Sequence, residues 1–149
     1  MSYATPDLFQ TRVSPRIAAQ LSAETPSAAA DEQVIQGWLN AASSMINIRI
    51  GSRFVVPVTA PPSAIDLLAG LELDIALFLG WVYRGVNENE NPGRLGMQNA
   101  LDILKSIETG AVDALSGAIL IGSASIDAGN WYSEEPHFDP PDTWTEPIT

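Results

Sequence analysis

The segment Ile65–Val86 constrains the fold more than any other: fifteen of its twenty-two residues are apolar, spread around the whole circumference of a helix. A helix that is apolar on every side must be covered on every side. Either other helices of the same chain surround it as the hub of a bundle, or part of its surface is reserved for a partner. It does not read as a membrane span. The longest apolar stretch, Ile75–Tyr83, has nine residues, with Glu72 and Asp74 before it and Arg84 after it, against roughly 20 needed to cross a bilayer.

The flanking sequence supplies the covering helices. Thr5-Pro6 and Ser14-Pro15 each pair an N-cap residue with proline at the first helical position, which predicts short helices at about 6–11 and 15–23. Residues 24–29 read as loop. Near Asp31 a longer helix begins, with Val34, Ile35, Trp38, Leu39, Ala42, Met45, Ile46 and Ile50 on one stripe and Gly51 at its end. Residues 53–62 hold three prolines and read as an extended connector. Ser63 is the expected cap of the apolar helix, which should run to about Val86. A polar turn at 87–92 precedes a last helix over about 93–109, with Met97, Ala100, Leu101, Ile103, Leu104 and Ile107 on one face and Gly110 as its stop. The predicted fold is all-α: four to five helices in one domain spanning 1–117, followed by an extended arm, 118–149.

The arm differs from the rest of the chain. Residues 127–149 contain six acids and no Lys or Arg, with several prolines among Trp131, Tyr132, Phe138 and Trp144. Nothing in it has a helical or strand period, so it is expected to be extended until a partner holds it. Those four aromatics, with Trp38, Phe78, Trp81 and Tyr83 of the helices, are the candidate interface residues, because large aromatics dominate binding hot spots.

Charge excludes one function class. Seven Lys and Arg face eighteen Asp and Glu, a net charge of −11, whereas nucleic-acid affinity comes mainly from cations displacing counterions from phosphate. The seven cations are scattered, so sticky DNA binding is not expected, although a surface that DNA slides past is allowed. The chain has no Cys, which rules out disulfides, thiolate metal sites and a Cys nucleophile. The segment Met1–Asp7 lacks the basic and apolar regions of a signal peptide.

Candidate chemistry is sparse. His137 is the single histidine and lies in the arm; alone it makes neither a triad nor a usual zinc site. Asp66 and Asp74 are eight residues apart on the apolar helix, on one face but out of contact. An acid at Asp74, within the most apolar stretch, suggests a structural ion pair with Arg53 or Arg49. The arm's acids do not match a calcium loop, and Gly93-Arg94-Leu95-Gly96 lacks the ending of a phosphate loop. No catalytic residue, cofactor or metal is expected, and the chain does not read as an enzyme.

Four phrases carry a resemblance. They are Tyr3-Ala4-Thr5-Pro6-Asp7-Leu8; Arg53-Phe54-Val55-Val56-Pro57-Val58, followed by Pro61-Pro62; Asp74-Ile75-Ala76-Leu77-Phe78-Leu79; and Met97 to Leu104, closing with Ile107-Glu108-Thr109-Gly110. In this order they resemble the Mu-like phage family of small head–tail joining proteins, over about residues 3–116. The chain departs from the family pattern at Arg12–Ala23 and in the acidic arm. The resemblance implies a helical connector whose copies form a ring, usually twelvefold, beneath the portal protein. It implies a next neck or tail-completion protein as the second partner, DNA passing through the channel, no membrane, and a place at the head–tail junction of the virion after assembly in the host cytoplasm. The other functional class left open is a small acidic helical regulator that binds one host or phage protein.

Overall fold

Each helix starts where a cap residue satisfies its free amides. In the computed structural model, which describes residues 1–25 and 28–121, α1 (Pro6–Val13) is capped by Thr5, whose hydroxyl accepts from the Leu8 amide at 3.2 Å. Helix α2 (Pro15–Ser22) follows after one residue. Ser14 takes a positive φ of 79°, which ends α1, and its hydroxyl accepts from the Ile17 amide to open α2. Helix α3 (Glu32–Ile50) is capped by Asp31, which accepts from the Gln33 and Val34 amides at 2.9 and 3.2 Å.

The connector then runs to α4 (Pro62–Tyr83), the apolar helix. The expected cap at Ser63 is not used. Pro61 occupies that position with extended dihedrals, and Pro62 opens the helix, because proline's fixed φ suits the first turn and its missing amide is not needed there. The helix ends three residues before Val86. Gly85 turns left-handed at φ 79° and the Arg84 amide closes back on Gly80. A 3-10 turn at Glu88–Glu90 leads into α5 (Arg94–Thr109), and Gly110 ends α5 in the left-handed conformation at φ 76°.

The described chain is all-α, with one isolated antiparallel bridge, Phe54 to Leu120. Around that bridge the Val55 amide donates to Ile119 O and the Ile121 amide to Arg53 O, both at 2.8 Å. The connector and residues 119–121 therefore form a minimal two-stranded ribbon, which holds the first residues beyond 117 on the helical domain. Residues 122–149 lie outside the described ones.

Helix α4 is the hub, packing against α1, α2, α3 and α5. Leu68, Ile75 and Ala76 on it are fully buried, as are Phe9 of α1, Leu21 of α2, Ile35, Leu39, Ile46 and Ile50 of α3, and Leu104 of α5. Its apolar circumference is thus largely consumed within the protein. Two glycines permit the closest approaches. A Cβ on Gly80 would come within 3.2 Å of the Trp38 ring, and one on Gly93 within 2.8 Å of the Phe78 backbone. Buried Asn91 clamps the same crossing, donating to Phe78 O at 3.0 Å and accepting from the Gly93 amide at 2.8 Å. No helix among the described residues is long and apolar enough to cross a membrane.

Candidate partner-binding surfaces

Titratable groups come first, because perturbed ones inside a cleft are the usual sign of an active site. The most perturbed carboxyl is Glu72, a residue the sequence does not single out. It is fully buried on α4, and the amino-terminal segment folds over it. Its Oε2 accepts from the Tyr3 amide at 2.7 Å, and its Oε1 lies against the Ser2 hydroxyl and 3.4 Å from the Ala4 amide. Burial raises its pKa above the ordinary carboxylate value, and the Ser2, Tyr3 and Ala4 hydrogen bonds only partly oppose this.

Tyr3 completes the clasp. Its hydroxyl donates to Asn47 Oδ1 of α3 at 2.5 Å and accepts from the Val58 amide of the connector at 3.0 Å; burial pushes its pKa up as well. The Tyr-Ala-Thr opening therefore ties the amino terminus to α3, α4 and the connector at once. A cavity of about 230 Å³ beside it is lined by Tyr3, Pro57, Val58 and Ile65 but not by Glu72. A carboxyl with no solvent access, whose bonds are all internal, is an architectural group.

Asp74 does pair with an arginine, but with Arg12 of α1, at 3.1 Å. The expected partners are elsewhere. Arg53 donates to Ile107 O at the end of α5 and lies 5.3 Å from the Phe54 ring, while Arg49 pairs with Glu108 at 3.7 Å. The reason is axial distance. Asp74 lies twelve residues into α4, about 18 Å along the helix, whereas Arg53 precedes the connector at the opposite end. Asp66 is exposed. Among the described residues, no group of three or more His, Cys, Asp or Glu gathers in a way that could hold a metal ion.

The helical aromatics separate into two kinds. Trp38 is only 8% exposed and packs against Phe9 and Tyr83, with ring centres 6.0 and 5.6 Å apart. It belongs to the core and not to a partner surface, because α3 turns its apolar stripe toward the hub. Phe78 is half-buried beneath the Asn91–Gly93 crossing. Trp81 and Tyr83, on the last turn of α4, do reach the surface, Tyr83 with 59% of its area exposed. Trp131, Tyr132, Phe138 and Trp144 fall outside the described residues.

Two apolar surfaces remain. One is at the carboxyl end of α4, where Trp81, Arg84 and Val86 face Arg16, Ala19 and Gln20 of α2 across a groove of about 540 Å³. The other is the ribbon at the amino end of α4. There Val55, Ile119 and Ile121 are 46%, 53% and 57% exposed, and alternation along paired strands puts them on the face opposite Phe54. Trp81 of the groove is one of the candidate interface residues, whereas the α2 wall facing it and the ribbon were not anticipated. The α2 wall was legible as the i, i+3, i+4, i+7 set Arg16, Ala19, Gln20, Ala23, whereas the ribbon depends on a non-local pairing with no local signature.

Residues 3–116 match the family described as Bacteriophage Mu, Gp36. The chain belongs to that family. It is a Mu-like phage protein, and the matched span covers all five helices of the bundle, the Tyr3–Glu72 clasp and both walls of the groove. The Gp36 match ends before Ile119 and Ile121, so one strand of the ribbon and everything beyond it lie outside it. No curated protein matches the chain.

Proposed function

We propose that this protein is a non-enzymatic structural component of a tailed phage virion: a head-to-tail adaptor. Its copies form a ring, twelvefold by family resemblance, that docks on the portal protein. The ring extends the channel through which DNA passes and offers a platform to the next neck or tail-completion protein. After assembly in the host cytoplasm it resides at the head–tail junction.

The observation that carries this reading is the pairing of Gp36 family membership with two apolar surfaces at opposite ends of α4. Twenty-two helical residues separate them by about 33 Å, which suits a piece that must hold partners on two sides. The handling of cations supports free passage of DNA. Arg12, Arg49, Arg53, Arg84 and Arg94 are each engaged by a carboxylate, a carbonyl or an amide oxygen, and the net charge is −11.

The test is electron microscopy of lysates from a phage with this gene silenced. DNA-filled or leaking heads beside complete free tails are expected. Intact tailed particles would overturn the adaptor reading and bring forward the regulator that binds a single host or phage protein.

A further inference from the structure

The groove between α2 and the end of α4 has a chemistry that identifies an occupant. Arg16 stands on its α2 wall and is the one arginine with no hydrogen bond or ion pair among the described residues. Arg84 faces it, fixed by donation to Ala23 O at the end of α2 and lying 5.9 Å from the Tyr83 ring. Between them are the half-buried Trp81 indole and the small side chain of Ala19. Glu24 at the rim is the one acid lining it. An apolar floor between two guanidinium groups suits an acidic segment that also carries an aromatic ring.

This chain contains such a segment. Residues 122–149 hold six of its eighteen acids and none of its seven cations, and Trp131-Tyr132 is followed at once by Ser133-Glu134-Glu135. Reach decides which copy supplies it. Ile121 is bonded to Arg53 at the amino end of α4, where Gly117 also packs on Pro61, while the groove is at the carboxyl end. Trp81 lies nineteen residues into α4, about 28 Å along it. The ten residues from Ile121 to Trp131 span at most about 33–36 Å when fully extended, so a chain's own arm would have to run nearly straight and almost fully extended to bring Trp131 to it. An adjacent copy imposes no such demand.

We propose that the groove receives the Trp131–Glu135 segment of a second copy, with an aromatic ring against Trp81 and the carboxylates on Arg16 and Arg84. The contact joins two different patches, so it is of the head-to-tail kind that closes into rings. It rests on the ring reading above and supplies one contact between neighbours.

The full-length chain has no Cys, which allows a clean cross-linking test. One protein carries Gln20→Cys, on the groove wall, and another carries Ser133→Cys; the two are mixed and oxidised. A disulfide-linked dimer containing one of each is expected. Arg16→Glu in the groove copy should lower its yield about fivefold, near the upper limit for one exposed ion pair. Glu134→Arg or Glu135→Arg, made singly in the arm copy, should restore it at the position that faces residue 16, the other carboxylate staying on Arg84. If a Gln20→Cys/Ser133→Cys double variant closes within one chain at high dilution while the mixture stays unlinked, the arm occupies its own groove and the proposal fails. If neither links, the groove does not take the arm. In both cases rings seen in purified particles would leave the adaptor reading intact, whereas absence of the protein from virions would defeat that reading whatever the cross-link shows.

Discussion

Glu72 gives the sharpest test of how the amino terminus is held. The Ser2 hydroxyl has one hydrogen, yet it lies 2.7 Å from Ala4 O and also against Glu72 Oε1. A proton on Glu72 removes the conflict. The carboxyl then donates from Oε1 to Ser2 Oγ, Ser2 donates to Ala4 O, and Oε2 is free to accept from the Tyr3 amide. This agrees with the burial-driven rise in its pKa. The sign follows from linkage. A raised carboxyl binds more protons in the folded state than in the unfolded one, so its contribution is fully present below the unfolded value and is lost as pH rises through the folded value. Within that window wild-type stability falls by up to about 1.4 kcal/mol per pH unit and levels off above it. Glu72→Gln imitates the protonated carboxyl, its amide donating to Ser2 and its carbonyl accepting from Tyr3, and it does not titrate. The stability of Glu72→Gln relative to wild type should therefore rise with pH and then become constant. Glu72→Leu, which leaves the Tyr3 amide and Ser2 unsatisfied, should cost about 1–3 kcal/mol per orphaned group. Urea unfolding followed by tryptophan fluorescence reads these differences. It should be run from pH 5 to 8, above the sequence pI of about 4.2. A Gln-minus-wild-type difference that does not change with pH would refute the protonated network. So would a Gln variant at pH 7 as unstable as the Leu one.

Three further outcomes follow from the packing. Gly93→Ala forces a methyl to within 2.8 Å of the Phe78 backbone and should destabilise by about 1–3 kcal/mol, seen as a lower Tm by calorimetry. Trp38→Ala empties a core position and should cost about 3–5 kcal/mol. Trp81→Ala at the groove should cost clearly less in the same urea titration, and equal losses would contradict their different burial. Val55→Asp with Ile119→Asp changes exposed side chains on the ribbon. It should leave the unfolding midpoint nearly unchanged while preventing incorporation into particles, as measured by immunoblotting purified virions.

Helix positions were readable because their signals are local. Thr5, Ser14 and Asp31 are caps that act on amides two or three residues away, and Gly110 stops α5 by its own dihedral angle. The start of α4 was misread by two residues, since serine is the commoner cap and only the chain's path places Pro61 there. The ion pair was misassigned for a different reason. Asp74 visibly needed a cation, but Arg12, Arg49 and Arg53 are equivalent by type, and only the way α1 folds across α4 selects Arg12. Glu72 was overlooked beside Asp74 because its partners are main-chain amides of Tyr3 and Ala4, which any sequence provides.

On the adaptor reading proposed above, the enclosure of α4 limits where partners attach. Its apolar circumference left two readings open, the hub of a bundle or a surface for a partner; four helices cover it, and Val82 and Tyr83 stay exposed at its carboxyl end. At the amino end the ribbon of residues 53–55 and 119–121 leaves Val55, Ile119 and Ile121 exposed on its outer face. At the carboxyl end Gly85 turns the chain away and leaves Trp81 and Tyr83 uncapped. A C2 dimer needs one self-complementary patch, whereas a ring needs two unlike patches on each copy. The ribbon is apolar and the groove is flanked by Arg16 and Arg84, so each copy carries two unlike patches. In the groove, like charges oppose face-to-face pairing of two copies, which disfavours a closed dimer there and leaves the surface to an acidic segment.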